Sequence, residues 1–208
     1  MKVRVEMTED IACAWSALAH ARLENALERF RAEGGEAEVV YRPFQIVPDA
    51  PTAGEPLAEV HRRVFGPEAK RNTDRMAALA ARDGFTMRFD RAVFANTLDA
   101  HGLVAAAALH GKGEEAARRM FRAYFGDGLN VADRTVLAEV AEELGVPWRP
   151  DDLTGEVREA IGRVRAEGVT SVPRFVIGDR TLPPGAPSTD DLLTAMRAAA
   201  QTAGGGSR

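Results

Sequence analysis

Apolar and charged residues alternate at the start of the chain: Val3, Val5 and Met7 are separated by Arg4 and Glu6, with Lys2 before them. A period of two predicts a strand with one buried and one exposed face. Beyond Thr8-Glu9-Asp10 the period lengthens, and Trp15, Leu18, Ala19, Leu23, Ala26, Leu27 and Phe30 recur at helical spacing until Gly34-Gly35. That pattern predicts an amphipathic helix over residues 13 to 33, stopped by the glycine pair. Ala37 to Tyr41 is short, rich in β-branched and aromatic residues and bounded by Pro43, so it reads as a second strand. Two strands joined by a helix of this length form a βαβ unit, with parallel strands and a right-handed crossover. Pro43, Pro48, Pro51 and Pro56, with Gly54 among them, then interrupt regular structure.

From about Leu57 to Leu144 the periodicity predicts four helices, separated at Gly66-Pro67, at Gly84 to Asp90 and at Gly126 to Asn130, with no strand between them. A further helix is expected over Asp152 to Glu167. Ser171 to Gly178 contains the apolar run Phe175-Val176-Ile177 and reads as a central strand, and Arg180 to Leu182 as an antiparallel edge strand. Residues 188 to 200 form the last predicted helix, capped by the Ser188 hydroxyl. The tail Gly204-Gly205-Gly206-Ser207-Arg208 is expected to be disordered. The order βαβ, helices, then αββα describes an α/β core interrupted by a helical insertion.

Charge and composition narrow the function. The 27 Lys and Arg residues are nearly balanced by 31 Asp and Glu, for a net charge of -4, and the basic residues are interleaved with acids. A nucleic-acid partner is not expected, because tracking phosphates takes a concentrated positive stripe. A membrane partner is not expected either, since no apolar run approaches the roughly 20 residues of a spanning helix. The charged start lacks the apolar stretch of a signal peptide, which points to the cytoplasm. The chain has one cysteine, Cys13, so a disulfide must involve another molecule.

Cys13 stands in Asp10-Ile11-Ala12-Cys13-Ala14-Trp15-Ser16, where a strand gives way to a helix. Free N–H groups and the helix dipole there favour an anion, so the position is expected to lower the thiol pKa. Other stretches join it: Tyr41-Arg42-Pro43-Phe44-Gln45 followed by Pro48-Asp49-Ala50-Pro51, Phe121-Arg122-Ala123-Tyr124-Phe125, and Gly168-Val169-Thr170-Ser171-Val172-Pro173. Together they resemble the DsbA-like thioredoxin-fold proteins, and within these the FrnE-like branch named for a frenolicin polyketide cluster. The resemblance spans nearly the whole chain. It implies an α/β, thioredoxin-like fold with an inserted all-helical domain: residues 1–52 and 168–208 form the thioredoxin-like part and residues 53–167 a helical lid. It also implies a cis Val172–Pro173 peptide facing the Cys13 sulfur, with substrate aligned along its backbone.

The chain departs from that family at the site itself. Where Cys-Pro-Trp-Cys is usual, Ala14 replaces proline and Ser16 replaces the second cysteine. A mixed disulfide on Cys13 therefore cannot be resolved from within the chain. Three readings stay open. In the first, Cys13 is a monothiol that an external small thiol such as glutathione or mycothiol resolves, assisted by Ser16, acting on thiol or disulfide-bearing protein substrates or on a small aromatic, polyketide-like compound. In the second, resembling 2-hydroxychromene-2-carboxylate isomerase and the kappa-class transferases, the site binds a small thiol that adds to an organic substrate. In the third the protein is redox-inert and binds a ligand or partner. No tightly bound cofactor is expected, and a homodimer is one open assembly.

The remaining candidates are weaker. His101 lies in Asn96-Thr97-Leu98-Asp99-Ala100-His101, a segment that also resembles the family; it reads either as a lid histidine near the thiol or as a helix residue satisfied by local hydrogen bonds. His20, His61 and His110 share no ligand spacing, so no metal site is expected. Trp15 reads equally as groove wall or as core. Gly111-Lys112-Gly113 reads as a turn, and Glu114-Glu115 with Arg118-Arg119 as an exposed helix face paired at i, i+4. Phe44 and Tyr41 are expected to pack between the two parts of the fold.

Overall fold

The computed structural model describes residues 2–205. β1 (Lys2–Glu9) is followed by α1 (Ala14–Ala32) and β2 (Glu36–Pro43), and β1 pairs with β2 in parallel register, Val3 opposite Ala37 and Met7 opposite Tyr41. Gly34, at φ 84°, terminates α1, and a Cβ on Gly35 would fall 2.5 Å from the Phe30 ring. The predicted βαβ start is thus present, with β2 three residues longer than its apolar run.

β3 (Glu55–Pro56) and β4 (Val93–Phe94) form a two-residue antiparallel ladder, where no strand was expected. The helical segment holds α2 (Leu57–Phe65), a 3₁₀ turn over Gly66–Glu68, α3 (Ala69–Arg82), α4 (Leu98–Leu109), α5 (Gly113–Phe121) and α6 (Arg134–Leu144). Five α-helices replace the expected four because the Gly111 turn, at φ 73°, divides α4 from α5. α5 runs into a π-helical turn over Arg122–Asp127.

The chain returns through α7 (Thr154–Ala166) to β5 (Arg174–Ile177), β6 (Arg180–Thr181) and α8 (Thr189–Gly205). The sheet order is β2-β1-β5-β6, with β5 antiparallel to both neighbours. Ser188 caps α8 reciprocally: its Oγ accepts from the Asp191 N–H at 3.1 Å, and its own N–H donates to Asp191 Oδ2 at 3.1 Å. Replacing Ser188 with alanine is expected to cost about 1 kcal/mol. The check is a lower urea midpoint with an unchanged slope. α8 extends through Gly204 and Gly205, which were expected to be disordered; residues 206–208 of the predicted tail lie outside the described residues.

Two apolar cores organise these elements. Val3, Val5 and Met7 of β1 pack with Leu23, Leu27 and Phe30 of α1 and with Leu192 and Met196 of α8. Ile11, Ala17 and Leu18 instead join Leu103, Phe121, Tyr124, Phe125 and Leu137 of the helical segment. α1 thus serves both cores, its first turns facing the helices and its later turns the sheet. Tyr41 packs against both cores, and Phe44 joins Val164 of α7 to Val169 and Val172 beyond that helix in a small cluster, so both stand between parts of the fold as expected.

Glu114, Arg118 and Arg119 do not pair with one another along α5. Glu114 binds Arg31, Arg118 binds Glu24, and Arg119 reaches Glu143 and Asp127. Partners on other elements win because the packing of α5 brings them closer than its own next turn.

Candidate active site

Asp10 builds the turn that presents the sulfur. It is 1% exposed, and its Oδ1 accepts from the Ala12 N–H at 3.2 Å and the Thr97 hydroxyl at 2.9 Å, while Oδ2 accepts from the Ile46 N–H at 2.7 Å. Its carbonyl accepts from the Cys13 N–H at 2.9 Å. One carboxylate therefore ties the end of β1, the loop after β2 and the start of α4 together. Gln45 reinforces that tie through Asn96 Oδ1 at 3.1 Å and Thr97 Oγ1 at 3.4 Å. The turn around Cys13, the loop at Ile46 and the Thr97 segment are distant in sequence and meet at this residue.

Cys13 is the N-cap residue of α1, in extended conformation. Its thiol donates to the Val172 carbonyl oxygen at 3.7 Å, and the Val172–Pro173 peptide is cis. Cys13 is only 7% exposed, so its sulfur is almost withdrawn from solvent. The expectation of a lowered thiol pKa is overturned. Burial pushes the thiol above its usual value; the Ser16 hydroxyl and N–H pull it down, Asp10 pushes it up again, and the Trp15 N–H pulls it down. A helix N-terminus favours the thiolate, but withdrawal from water opposes it more strongly here.

Ser16 is fully buried one turn along α1, and its Oγ has no hydrogen-bond partner among the described residues. The sulfur is the polar neighbour that this hydroxyl can serve. Trp15, between them, is 52% exposed and so is not part of the core. Ile46 and Phe65 are also more than half exposed. A cleft of about 170 Å³ lined by Ala14, His61, Phe65, Met76 and Phe89 adjoins the helix start, and it shares His61 and Phe89 with a larger cleft of about 640 Å³ between α2 and α3.

His101 is not satisfied by local hydrogen bonds. It is 3% exposed, with Nδ1 3.4 Å from Glu9 Oε1, and with Nε2 3.0 Å from the Phe44 carbonyl oxygen and 3.8 Å from Asp10 Oδ1. Burial alone would lower its pKa, but the charges and hydrogen bonds of Glu9 and Asp10 outweigh that and push it up to about 10. It is an imidazolium at neutral pH. His20 is the opposite case: burial, then Arg118, pull it down to about 3, and it rests neutral against the Tyr41 hydroxyl at 3.1 Å.

Sequence reasoning placed Asp10 and Tyr124 inside family-like segments without giving either a role, and gave Glu9 none. The signal for the acids was the break in strand alternation at Thr8-Glu9-Asp10, immediately before the cysteine. Tyr124 lies in the π-helical turn with its hydroxyl buried and without a partner among the described residues; burial, with the charges of Asp10 and Cys13, pushes its pKa up. Among the described residues no group of three or more His, Cys, Asp and Glu is arranged to hold a metal ion, and no helix is long and apolar enough to cross a membrane.

A sulfur at a strand-to-helix junction opposite a cis-proline, on a four-stranded sheet interrupted by helices, defines a DsbA-like thioredoxin site. Residues 4–197 match the DsbA-like thioredoxin domain, and the chain belongs to that family. It is similar to a Streptomyces coelicolor protein described as a "probable DsbA oxidoreductase", at 29% identity and TM-score 0.82 over 96% of this chain and 90% of that one. It is 25% identical to the uncharacterized protein YwbO of Bacillus subtilis over 88% of this chain and 90% of that protein. The cytosolic disulfide reductase DsbM of Pseudomonas aeruginosa, solved with glutathione, shares the fold at 21% identity and TM-score 0.66, covering 95% of this chain and 99% of its own.

Proposed function

We propose that this protein is a FrnE-like member of its family that works as a monothiol oxidoreductase through Cys13. The observation that carries this reading is the Cys13 sulfur 3.7 Å from the Val172 carbonyl oxygen, beside the Ser16 hydroxyl and with no second cysteine in the chain. The Cys13 thiolate attacks a disulfide; one half stays on Cys13 and the other leaves as a thiolate. A small thiol, glutathione or mycothiol, then attacks the retained sulfur, frees Cys13 and leaves as the new disulfide. Ser16 donates to the thiolate, Trp15 walls the approach, and the Val172–Pro173 backbone aligns the substrate. His101 acts from beneath, holding Asp10 and with it the turn that carries the sulfur.

Residues 1–52 and 168–208 are the thioredoxin-like part in this reading and 53–167 the lid. The chemistry suits a reducing compartment such as the cytoplasm, where a small thiol is abundant. A buried, raised thiol is a slow nucleophile toward generic electrophiles, which reserves it for a substrate held against Trp15 and Val172. Alkylation by iodoacetamide is accordingly expected to be slower than for a free cysteine, with a midpoint at higher pH than a free cysteine shows that rises further in Ser16→Ala. The measurement is the rate of alkylation against pH.

A second reading has its own support. The cleft beside Ala14 is lined by Phe65, Phe89 and His61, whose rings lie 5.4 and 5.9 Å apart in the His61–Phe65 and His61–Phe89 pairs. Such walls suit a small aromatic compound, to which a bound thiol could add as in the isomerase type; one similar fold is that of a 2-hydroxychromene-2-carboxylate isomerase, at 16% identity and TM-score 0.65. Incubation with glutathione disulfide separates the two. The monothiol reading expects one glutathionyl group by intact mass, absent in Cys13→Ser and removed by added glutathione. If unfolded protein takes the adduct and folded protein never does, the monothiol reading fails.

A further inference from the structure

Among the described residues six large apolar side chains stand exposed: Trp15, Ile46, Val47, Val64, Phe65 and Leu109. Five of them belong to segments that meet at the thiol turn. Trp15 follows Cys13 by two residues, the Ile46 N–H donates to Asp10 Oδ2 at 2.7 Å, and Phe65 lines the cleft that Ala14 also lines. Val47 and Val64 are their chain neighbours. An exposed apolar patch drawn from three separate segments marks an interaction surface.

The charge beside this patch is uneven. The chain carries a net charge of -4, yet Leu57 to Arg82, the span of α2 and α3, holds six basic and three acidic residues. Arg63, Lys70 and Arg71 are paired with Glu55, Asp74 and Glu68, while Arg62 and Arg75 pair with no carboxylate among the described residues. Arg62 follows His61, which lines the cleft beside Ala14, and Arg75 lies one turn from Asn72, which lines it too. Both arginines are exposed. Apolar side chains beside two unpaired guanidinium groups suit a partner that offers apolar side chains and carboxylates. The sulfur itself is almost withdrawn from solvent, so the partner has to reach inward with one side chain. An extended polypeptide does so, its half-cystine entering while the neighbouring residues rest on the patch; a planar lipid surface does not.

On the monothiol reading, on which this rests, we propose that the partner of Cys13 is an extended polypeptide with apolar residues beside its disulfide-bonded cysteine and carboxylates beyond them. The apolar residues meet Trp15, Ile46 and Phe65, and the carboxylates meet Arg62 and Arg75. The Cys13 thiolate takes the polypeptide's sulfur, and the other half of its disulfide leaves as a thiolate.

The symmetric disulfide of the peptide acetyl-Glu-Leu-Cys-Leu-Glu-amide tests this, against the same peptide with lysine for glutamate and with glycine for leucine. Each rate of Cys13 modification, read by intact mass, is divided by the rate of the same disulfide with free glutathione, which removes differences intrinsic to the disulfides. The parent peptide is expected to be favoured about tenfold over the lysine peptide, the scale of two exposed ion pairs turned repulsive. Over the glycine peptide it is expected to be favoured at least about tenfold, from the lost apolar contacts. Arg62→Glu combined with Arg75→Glu is expected to reverse the charge preference, and Phe65→Ser to remove most of the leucine preference. Equal normalised rates for the three peptides, or a charge preference that survives the arginine substitutions, overturn the proposal. So does binding to phosphatidylglycerol vesicles without a preference among the peptides, or a dimer that Phe65→Ser dissociates, which would assign the patch to a lipid surface or to a second copy.

Glutathione disulfide keeps the two claims apart. If it too leaves Cys13 unmodified, the monothiol reading has failed, and the surface is judged on Cys13→Ser titrated with acetyl-Glu-Leu-Ser-Leu-Glu-amide. Saturating amide shifts in the nuclear magnetic resonance spectrum, confined to Trp15, the Ile46 loop and α2–α3, uphold it. Their absence at about ten millimolar peptide overturns it.

Discussion

Replacing His101 with leucine is expected to remove about 3–5 kcal/mol of folding stability, the cost of breaking a buried charge pair from one side. The imidazolium sits between Glu9 and Asp10, both 1% exposed, and a leucine leaves the two carboxyl groups facing each other without a cation. Urea unfolding followed by circular dichroism reads the loss. A second substitution, Glu9→Gln, is expected to restore part of it by removing the stranded charge, and that recovery distinguishes electrostatics from a packing defect. A change below about 1 kcal/mol would place the pair among the weak surface bridges and sink this account.

The same pair sets a pH dependence. The folded His101 pKa is about 10 against an ordinary 6.5, so its contribution is fully present below 6.5 and is lost as pH rises through about 10. The difference in unfolding free energy between the wild type and His101→Leu is therefore expected to shrink steadily between pH 6.5 and 10, and to shrink again in acid, where Glu9, whose pKa burial raises, takes up a proton and no longer needs the cation. A difference that grows between pH 6.5 and 10 would reverse the assigned charge state.

Substituting Ser16→Cys is expected to change how the site is regenerated. Positions 13 and 16 are one turn apart on the same face of α1, and the Ser16 hydroxyl is already beside the sulfur. A second sulfur there can attack a mixed disulfide on Cys13 from within the chain, at an effective concentration far above that of any free thiol. Release of a glutathionyl group from the wild type is expected to be first order in added glutathione. In Ser16→Cys it is expected to be independent of glutathione and to leave an internal disulfide, seen as the loss of both free thiols. Continued dependence on glutathione in the variant would mean that the hydroxyl position is not one from which the mixed disulfide can be reached.

Much of this architecture is legible in the sequence because periodicity is local. The alternation at Val3, Val5 and Met7, the helical spacing from Trp15 to Phe30 and the Ser188 cap each depend on neighbours within a few residues, and each matches the structure to within three residues. The β3–β4 ladder was not legible, and Gly111-Lys112-Gly113, although read as a turn, was not counted as a break between two helices. Two residues are too few to show a period, and a Gly-Lys-Gly turn between two helices leaves the apolar spacing almost unbroken.

The site divides in the same way. By itself the sequence determined the chemical inventory: one sulfur at the start of a helix, a hydroxyl where a resolving thiol would stand, and a proline ahead of the β5 strand. Those are matters of composition and spacing. Only the tertiary structure decided the ionisation of these groups, because a pKa reports the water and charge around a group in space. Burial holds the Cys13 thiol neutral against a helix end that favours the anion, and the acids at the end of β1 hold His101, from a distant helix, as a cation.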